Sequence, residues 1–269
     1  MKALYLAAAS AVLITVPVHA EDEFDGVYAS ATVGYDFQGS DGDEFISFDR
    51  GSNGSFGETV TTATGANAFS PGFCGGEATS PQNSNCIGDS DGVTFSGRLG
   101  YDRQMGKLVL GLVAEVSTAD MRDSVSAFST TPAFYYMERE IDYTAALRLR
   151  AGFTPAERTL LYVTGGLAYA KLDQSFETSN TANSFTVIPD EDAWGYQLGA
   201  GAEQKISKKF SIGLEYLYTD FNSDNTLIRV GQGTAGATNP FVLAGGVDFK
   251  RGNDNFNLQT VRAVATYRF

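Results

Sequence analysis

Residues 256–269, FNLQTVRAVATYRF, alternate with a period of two. Val261, Ala263, Ala265, Tyr267 and Phe269 fall on one side, and Thr260, Arg262, Thr266 and Arg268 on the other. Such alternation describes a strand with one apolar and one polar face. The stretch ends on an aromatic in register with the apolar face. Chain ends usually fray, yet here the end is the most strand-like stretch of the whole sequence.

Seven further segments repeat the pattern. They are 26–37, 92–102, 107–118, 139–153, 159–172, 193–205 and 210–221. In 139–153, for example, Ile141, Tyr143, Ala145, Leu147, Leu149, Ala151 and Phe153 oppose Asp142, Thr144, Arg148 and Arg150. In 159–172 the preferred register sets Leu161, Val163, Leu167 and Tyr169 against Thr164, Gly166, Ala168 and Ala170.

The connections after the second, fourth and sixth segments are a few residues long. Those after the first, third, fifth and seventh are long, and the first covers about 38–91. Short turns on one side and long loops on the other are the pattern of an outer-membrane barrel. The segment lengths suit a tilted crossing of a bilayer. Tyr35, Phe37, Tyr101, Tyr143, Phe153, Trp194, Phe210, Tyr218, Tyr267 and Phe269 recur near segment ends, as an interfacial aromatic girdle requires. A soluble lipocalin-like barrel or β-sandwich is the competing reading, and it would point the large apolar residues inward.

The start of the chain bears on its location. Lys2, the apolar run over 3–16 and the small-residue sequence Val18-His19-Ala20 read as a secretory signal, residues 1–20, that is cleaved. Cleavage removes the single His and makes the formal charge of −13 one unit more negative. So acidic a chain argues against nucleic acid as a partner. No later stretch is long and apolar enough for a membrane-crossing helix. Gly 30, Tyr 13 and Phe 19 fit strands that are only half apolar.

The tracts LLYVTGGLAYAKL (160–172), WGYQLGAGAEQKISKKFSIGLEYLYTDF (194–221) and VRAVATYRF (261–269) carry a family pattern: Gly-rich strand, Gly-x-Gly-x-Glu, basic turn and Glu-Tyr-x-Tyr-Thr-Asp-Phe. The pattern resembles the opacity and Omp25/Omp31-like outer-membrane β-barrel proteins. The resemblance covers the strands and leaves out the long loops. It implies eight strands, no cofactor, and a structural, adhesive or small-channel role at the cell surface. The terminal strand, with Tyr267 and Phe269, likewise resembles the closing strand of such barrels, which implies an assembly signal there.

Glu115, Glu203 and Glu215 share the polar face with Arg98, Arg148, Arg150 and Arg262. An arginine facing lipid at mid-strand costs about 2–4 kcal/mol, so these groups are expected in the lumen. An eight-stranded barrel is narrow enough for side chains to fill it, and unpaired buried charges are costly. A salt-bridge plug is the first reading and a narrow ion path the second. Without His19 no Ser–His chemistry is available, and no enzyme is expected.

Cys74 and Cys86 flank a Gly/Ser/Asn-rich stretch, and in an exported chain they read as a disulfide closing part of the first loop. With no histidine, two cysteines do not complete a usual zinc site. Residues 231–236, GQGTAG, match GxGxxG but lack the following helix that phosphate binding needs; 241–243 look strand-like and the motif reads as a flexible loop tip. The acidic runs Asp41-Gly42-Asp43-Glu44 and Asp89-Ser90-Asp91 miss EF-hand spacing. They read as solvated loop, with loose Ca²⁺ binding or divalent bridging to lipopolysaccharide as the alternative. Two further hairpins, 44–49 with 58–64 and 226–230 with 241–249, extend the barrel as rigid loops or raise the count to ten strands.

The expectation is an all-β transmembrane antiparallel β-barrel of eight strands, one domain over residues 21–269, in a Gram-negative outer membrane. Both termini are expected in the periplasm, with no N-terminal plug and no domain after the barrel. Cofactors and metals are not expected. The expected partners are outer-membrane lipid and lipopolysaccharide, the barrel-assembly machinery through the C-terminal strand, and a surface or host ligand at the loops. The expected function is envelope stabilisation and surface interaction of an adhesin-like kind, and the alternative is a small porin with an Arg/Glu-lined lumen.

Overall fold

The computed structural model describes residues 23–38, 44–222, 226–252 and 255–269. The signal segment and Asp41 to Asp43 lie outside the described residues. The elements, in chain order, are β1 (Gly26–Gln38), β2 (Ile46–Arg50), β3 (Gly72–Gly75), β4 (Gly92–Met105), β5 (Leu108–Ala119), β6 (Arg122–Ser129), β7 (Ala133–Ala156), β8 (Thr159–Thr178), β9 (Ser184–Ile188), β10 (Asp192–Lys205), β11 (Phe210–Asn222), β12 (Leu227–Gly231), α1 (Pro240–Leu243), β13 (Val247–Arg251) and β14 (Asn255–Arg268).

Eight of these close a barrel in the order β1, β4, β5, β7, β8, β10, β11, β14, with β14 antiparallel to β1. Each barrel strand has a neighbour on both edges, so no ladder is left open within the wall. The closing seam pairs Ala31 with Ala265 and Tyr28 with Arg268, and the Phe269 N–H donates to Val27 O at 3.1 Å. These eight are the eight segments with period-two alternation.

The faces are inverted relative to a soluble barrel. Leu149 is 69% exposed, while Arg148 beside it is 0% exposed. The alternation therefore places leucine and valine outward, where lipid covers them, and polar groups inward. One aromatic girdle lies at the short-turn rim, where Tyr267 stacks between Phe210 and Phe269. The other lies at the long-loop rim, with Trp194 5.1 Å from Tyr169 between ring centroids. The turn between β4 and β5 is tight because Gly106 adopts φ 63°, a conformation that glycine takes without a Cβ clash.

Above the barrel, β7 and β8 run on past the wall and the long connections fold onto them as a head. β6 pairs with upper β7, and β3 pairs with β6. A separate four-stranded sheet runs β2-β13-β12-β9. Its inner face and upper β7 enclose an aromatic core of Phe48, Phe69, Tyr135, Phe241 and Phe249, with Tyr135 5.3 Å from Phe69 and 5.8 Å from Phe241 between ring centroids.

The head corrects three loop expectations. Residues 44–49 do not form a hairpin with 58–64; β2 pairs with β13, Phe48 opposite Phe249, and this pairing places both phenylalanines in the core. The second hairpin is half right: β12 pairs with β13, but 241–243 belong to the short helix α1, whose Asn239 cap accepts from the Phe241 N–H at 3.0 Å. The GxGxxG stretch is no flexible tip. Gly233 has φ 58°, and a Cβ there would meet Ala182 O at 2.5 Å, while the Thr234 N–H donates to the same oxygen at 2.8 Å.

Candidate functional site: a layered lumen and a folded head

The polar face of the barrel strands converges on a charged lattice. Glu115 accepts from Arg148 Nη2 at 2.7 Å and Arg262 Nη1 at 2.7 Å, and it forms an ion pair with Arg98, whose Nε lies 2.9 Å away. Glu215 accepts from Arg98 Nη2 at 3.0 Å and Arg262 Nε at 2.9 Å. All five side chains are buried. A guanidinium presents its donors as a fork, so it can serve two carboxylates at once where a lysine would be a point charge.

Nearer the short-turn rim lies a second group. Arg150 bonds Asp102 at 3.0 Å and also Glu203. Arg268 reaches Asp102 at 3.0 Å, and the Ser211 hydroxyl donates to Glu203. Tyr162 joins the two groups: its hydroxyl donates to Glu215 at 2.7 Å, and the Arg150 guanidinium lies 3.8 Å from its ring centroid.

The seven residues singled out from the sequence thus fall into these two linked groups, Glu203 and Arg150 in the lower and the other five in the upper. Asp102, Arg268 and Tyr162 complete them and were not anticipated as members. Parity was the available signal for the first two, since Asp102 shares a face with Arg98 and Arg268 shares one with Arg262.

The lattice is covered on both sides by apolar layers. At the short-turn mouth Phe24, Val109, Leu160 and Tyr162 form a buried cluster. Phe24 precedes β1 and is 0% exposed; Arg268 Nη1 holds its carbonyl at 2.9 Å. The segment just before β1 thus packs its Phe24 ring into the short-turn end of the barrel. On the other side Ile141, Leu172, Phe221, Phe256 and Leu258 pack as a buried apolar layer. Phe221 and Phe256 sit opposite one another on β11 and β14.

Beneath the head core lies one more ionic layer. Glu44, Asp89 and Asp123 bring carboxylate oxygens within 4.8 Å of one another. Arginine already bridges Glu44 and Asp123. Arg251 Nη2 bonds Glu44 at 2.6 Å and Asp123 at 2.5 Å, and Arg139 Nε bonds Asp123 at 2.5 Å. Asp89 accepts from the Ser124 N–H at 2.7 Å. Burial pushes the Glu44 carboxyl up to about 7, against the pull of Arg251. Burial also opposes ionisation of Asp123, but Arg139 and Arg251 outweigh it and hold that carboxyl low. Of the acidic runs considered for Ca²⁺, Glu44 and Asp89 therefore meet in an arginine-bridged clasp, and Asp91 instead accepts from the Gln38 N–H at 3.3 Å.

Cys74 and Cys86 are joined by a disulfide. Cys74 lies on β3 opposite Ser126 of β6, so the bridge ties residues 74–86 to the wall of the head.

An eight-stranded barrel with an apolar outer belt, aromatic girdles at both rims and a polar interior is a transmembrane barrel of the outer-membrane type. Residues 6–269 match the family described as outer membrane protein beta-barrel domain. The chain belongs to that family, and its place is the cell outer membrane. It is 29% identical over 180 residues to the 31 kDa outer-membrane immunogenic protein of Brucella melitensis, covering 62% of this chain and 75% of that one. It is also 29% identical over 131 residues to the 22 kDa outer membrane protein of Rhizobium leguminosarum bv. viciae, covering 48% of this chain and 54% of that one. Among solved structures, the outer membrane protein OprG from Pseudomonas aeruginosa has the same fold, with a TM-score of 0.52 at 12% identity, covering 93% of this chain and 99% of that one.

Proposed function

We propose that this protein is a non-conducting barrel that braces the outer membrane and holds a folded head outside the cell for contact with other surfaces or ligands. The observation that carries this reading is the stacking of the interior. The charged lattice lies between the Phe24 layer and the Phe221/Phe256 layer, with the arginine-bridged clasp and the aromatic core above. An ion path needs mobile, hydrated charges, whereas charges paired this closely are held in place. Lipid and lipopolysaccharide are the surroundings this reading gives the belt and the outer rim. The assembly machinery is the partner it gives the C-terminal strand with Tyr267 and Phe269. The Brucella relative's name describes it as immunogenic, which agrees with an exposed head.

The test is single-channel recording of the refolded mature protein in a planar bilayer, beside an Arg148→Ala/Arg150→Ala variant. Silence in the wild type is expected. Reproducible conductance steps in the wild type, altered in size or ion selectivity by the double substitution, would replace this reading with a small porin.

A further inference from the structure

The two edges of the head sheet are treated differently. β2 is covered: its burial is nearly complete, the Glu58 N–H donates to Phe48 O at 3.0 Å, and the Glu58 carboxylate accepts from the Arg50 N–H at 2.6 Å. β9 at the other edge is bare. It pairs with β12 on one side, Val187 opposite Ile228, and among the described residues no strand pairs with the other side. Val187 and Ile188 are 41% and 42% exposed.

Soluble edges are normally blunted by a charge, a proline or a bulge. Ser184-Phe185-Thr186-Val187-Ile188 contains none of the charged residues or prolines that would do this, and its composition favours strand. Alternate residues of β9 must aim their N–H and C=O groups away from β12.

A second free edge lies beside it. β8 pairs with β7 as far as Thr178 opposite Tyr135, but its ladder to β10 ends at Lys171 opposite Asp192. The Leu172 N–H still donates to Glu191 O at 2.7 Å, and above it the outer edge of β8 has no strand on it among the described residues. The ring of Phe176 on β8 lies 5.3 Å from that of Phe185 on β9 between centroids, so both edges flank the same rim of the head core. Asp173 and Glu177 are exposed on β8, and Glu191 follows β9 with its side chain half exposed.

We propose that the outer edge of β9 is a docking site for an extended, cationic polypeptide segment, which adds to the head sheet as a further strand. Main-chain hydrogen bonds to β9 supply the pairing, and lysine or arginine side chains of the partner meet Asp173 and Glu177, while Glu191 stays paired with Lys171 at 2.9 Å. A second copy of this chain fits less well, because it would bring the same carboxylates face to face. The proposal rests on the reading of the head as a display surface.

The probe is a fluorescent synthetic peptide alternating lysine and valine, titrated by anisotropy into the full chain refolded in micelles. A matched peptide with N-methyl groups at alternate residues keeps the charge and loses donors on one edge. Saturable binding is expected, about tenfold weaker for the N-methylated peptide and about tenfold weaker for Thr186→Lys. Absence of saturable binding overturns the proposal, as does equal binding of the N-methylated peptide, which would mean charge alone. So does binding to wild type that Thr186→Lys leaves unchanged, or self-association of the wild type that Thr186→Lys abolishes. Should the variant not fold, the comparison of the two peptides on wild type decides. Conductance is recorded on the same preparation: a silent barrel that ignores the peptide defeats this proposal only, whereas a conducting barrel defeats the display reading.

Discussion

Arg148 Nη2 lies 2.7 Å from Glu115 Oε2, with the two side chains 0% and 2% exposed. The pair is unequal in what each member holds. Glu115 is ion-paired with Arg98, Arg148 and Arg262, whereas Arg148 reaches one carboxylate closely and Glu215 only at 3.9 Å. Three arginines share two glutamates in this group, so removing Arg148 lowers a local excess of positive charge. Removing Glu115 raises it. Glu115→Ala is therefore expected to cost about 3–5 kcal/mol, as for other broken buried pairs, and Arg148→Ala distinctly less. Urea unfolding of the two variants in micelles checks the order.

Tyr162 links the two halves of the lattice through a single hydroxyl. Tyr162→Phe keeps the ring against Arg150 and removes only the bond to Glu215. A loss of about 1–3 kcal/mol is expected, because a buried acceptor loses a donor. The same unfolding assay reads it. An unchanged midpoint would mean that the hydroxyl bond to Glu215 contributes nothing to stability.

The wall of the barrel was legible in the sequence because strand alternation is local. Each of Leu147 to Arg150 announces its face through its immediate neighbours. The lattice was partly legible for the same reason, since parity alone places Arg98, Glu115 and Arg262 inside. Phe24 was not, because it stands before the first alternating segment and closes the mouth by tertiary contact with Arg268. The head was least legible. Phe48 opposite Phe249 and Ile228 opposite Val187 are pairings between different loops. Short runs such as Ile46–Arg50 fit many partners, and only the shared aromatic core selects one.

The Cys74–Cys86 bridge spans a sequence separation of 12 residues within the head. Closing such a loop is worth about 3 kcal/mol in the chain-entropy model. Its effect is expected to be local, since no barrel strand lies between the two cysteines. Cys74→Ser/Cys86→Ser should expose residues 76–90 to protease while the barrel keeps its heat-modifiable migration on gels. Loss of that migration would show that the bridge supports the barrel as well.

Glu44 gives the head a pH dependence. Its carboxyl is raised from 4.5 to about 7 by burial, so the folded head favours the protonated form. The contribution is fully present below about 4.5 and fades as the pH rises through about 7. Arg251, Asp123, Arg139 and Asp89 surround it, and ionising it adds a further negative charge beside Asp123. Amide exchange over residues 46–50 and 247–251 is expected to quicken between about pH 4.5 and 7 beyond the intrinsic rate, and to follow the intrinsic rate above that. Glu44→Gln should abolish that excess. If the variant shows the same excess, another group is responsible.

The chain end is built into the wall rather than trailing from it. Phe269 donates its N–H to Val27 O at 3.1 Å, and its ring lies 5.2 Å from that of Tyr267 between centroids. Tyr267 in turn lies 5.0 Å from Phe210. Closure of β1 on β14 comes late, since the two strands stand at opposite ends of the sequence and that contact pays the largest loop entropy. Loss of the Phe269 ring should thus slow closure as well as weaken the closed barrel. Phe269→Ala is expected to reduce folded protein in the outer membrane several-fold, with a small drop in the unfolding midpoint of the purified barrel. Leu214→Ala, at a lipid-facing position of β11 away from the seam, is the control and should not reduce the yield. Equal yields for the two variants would remove any special role of the terminal aromatic in assembly.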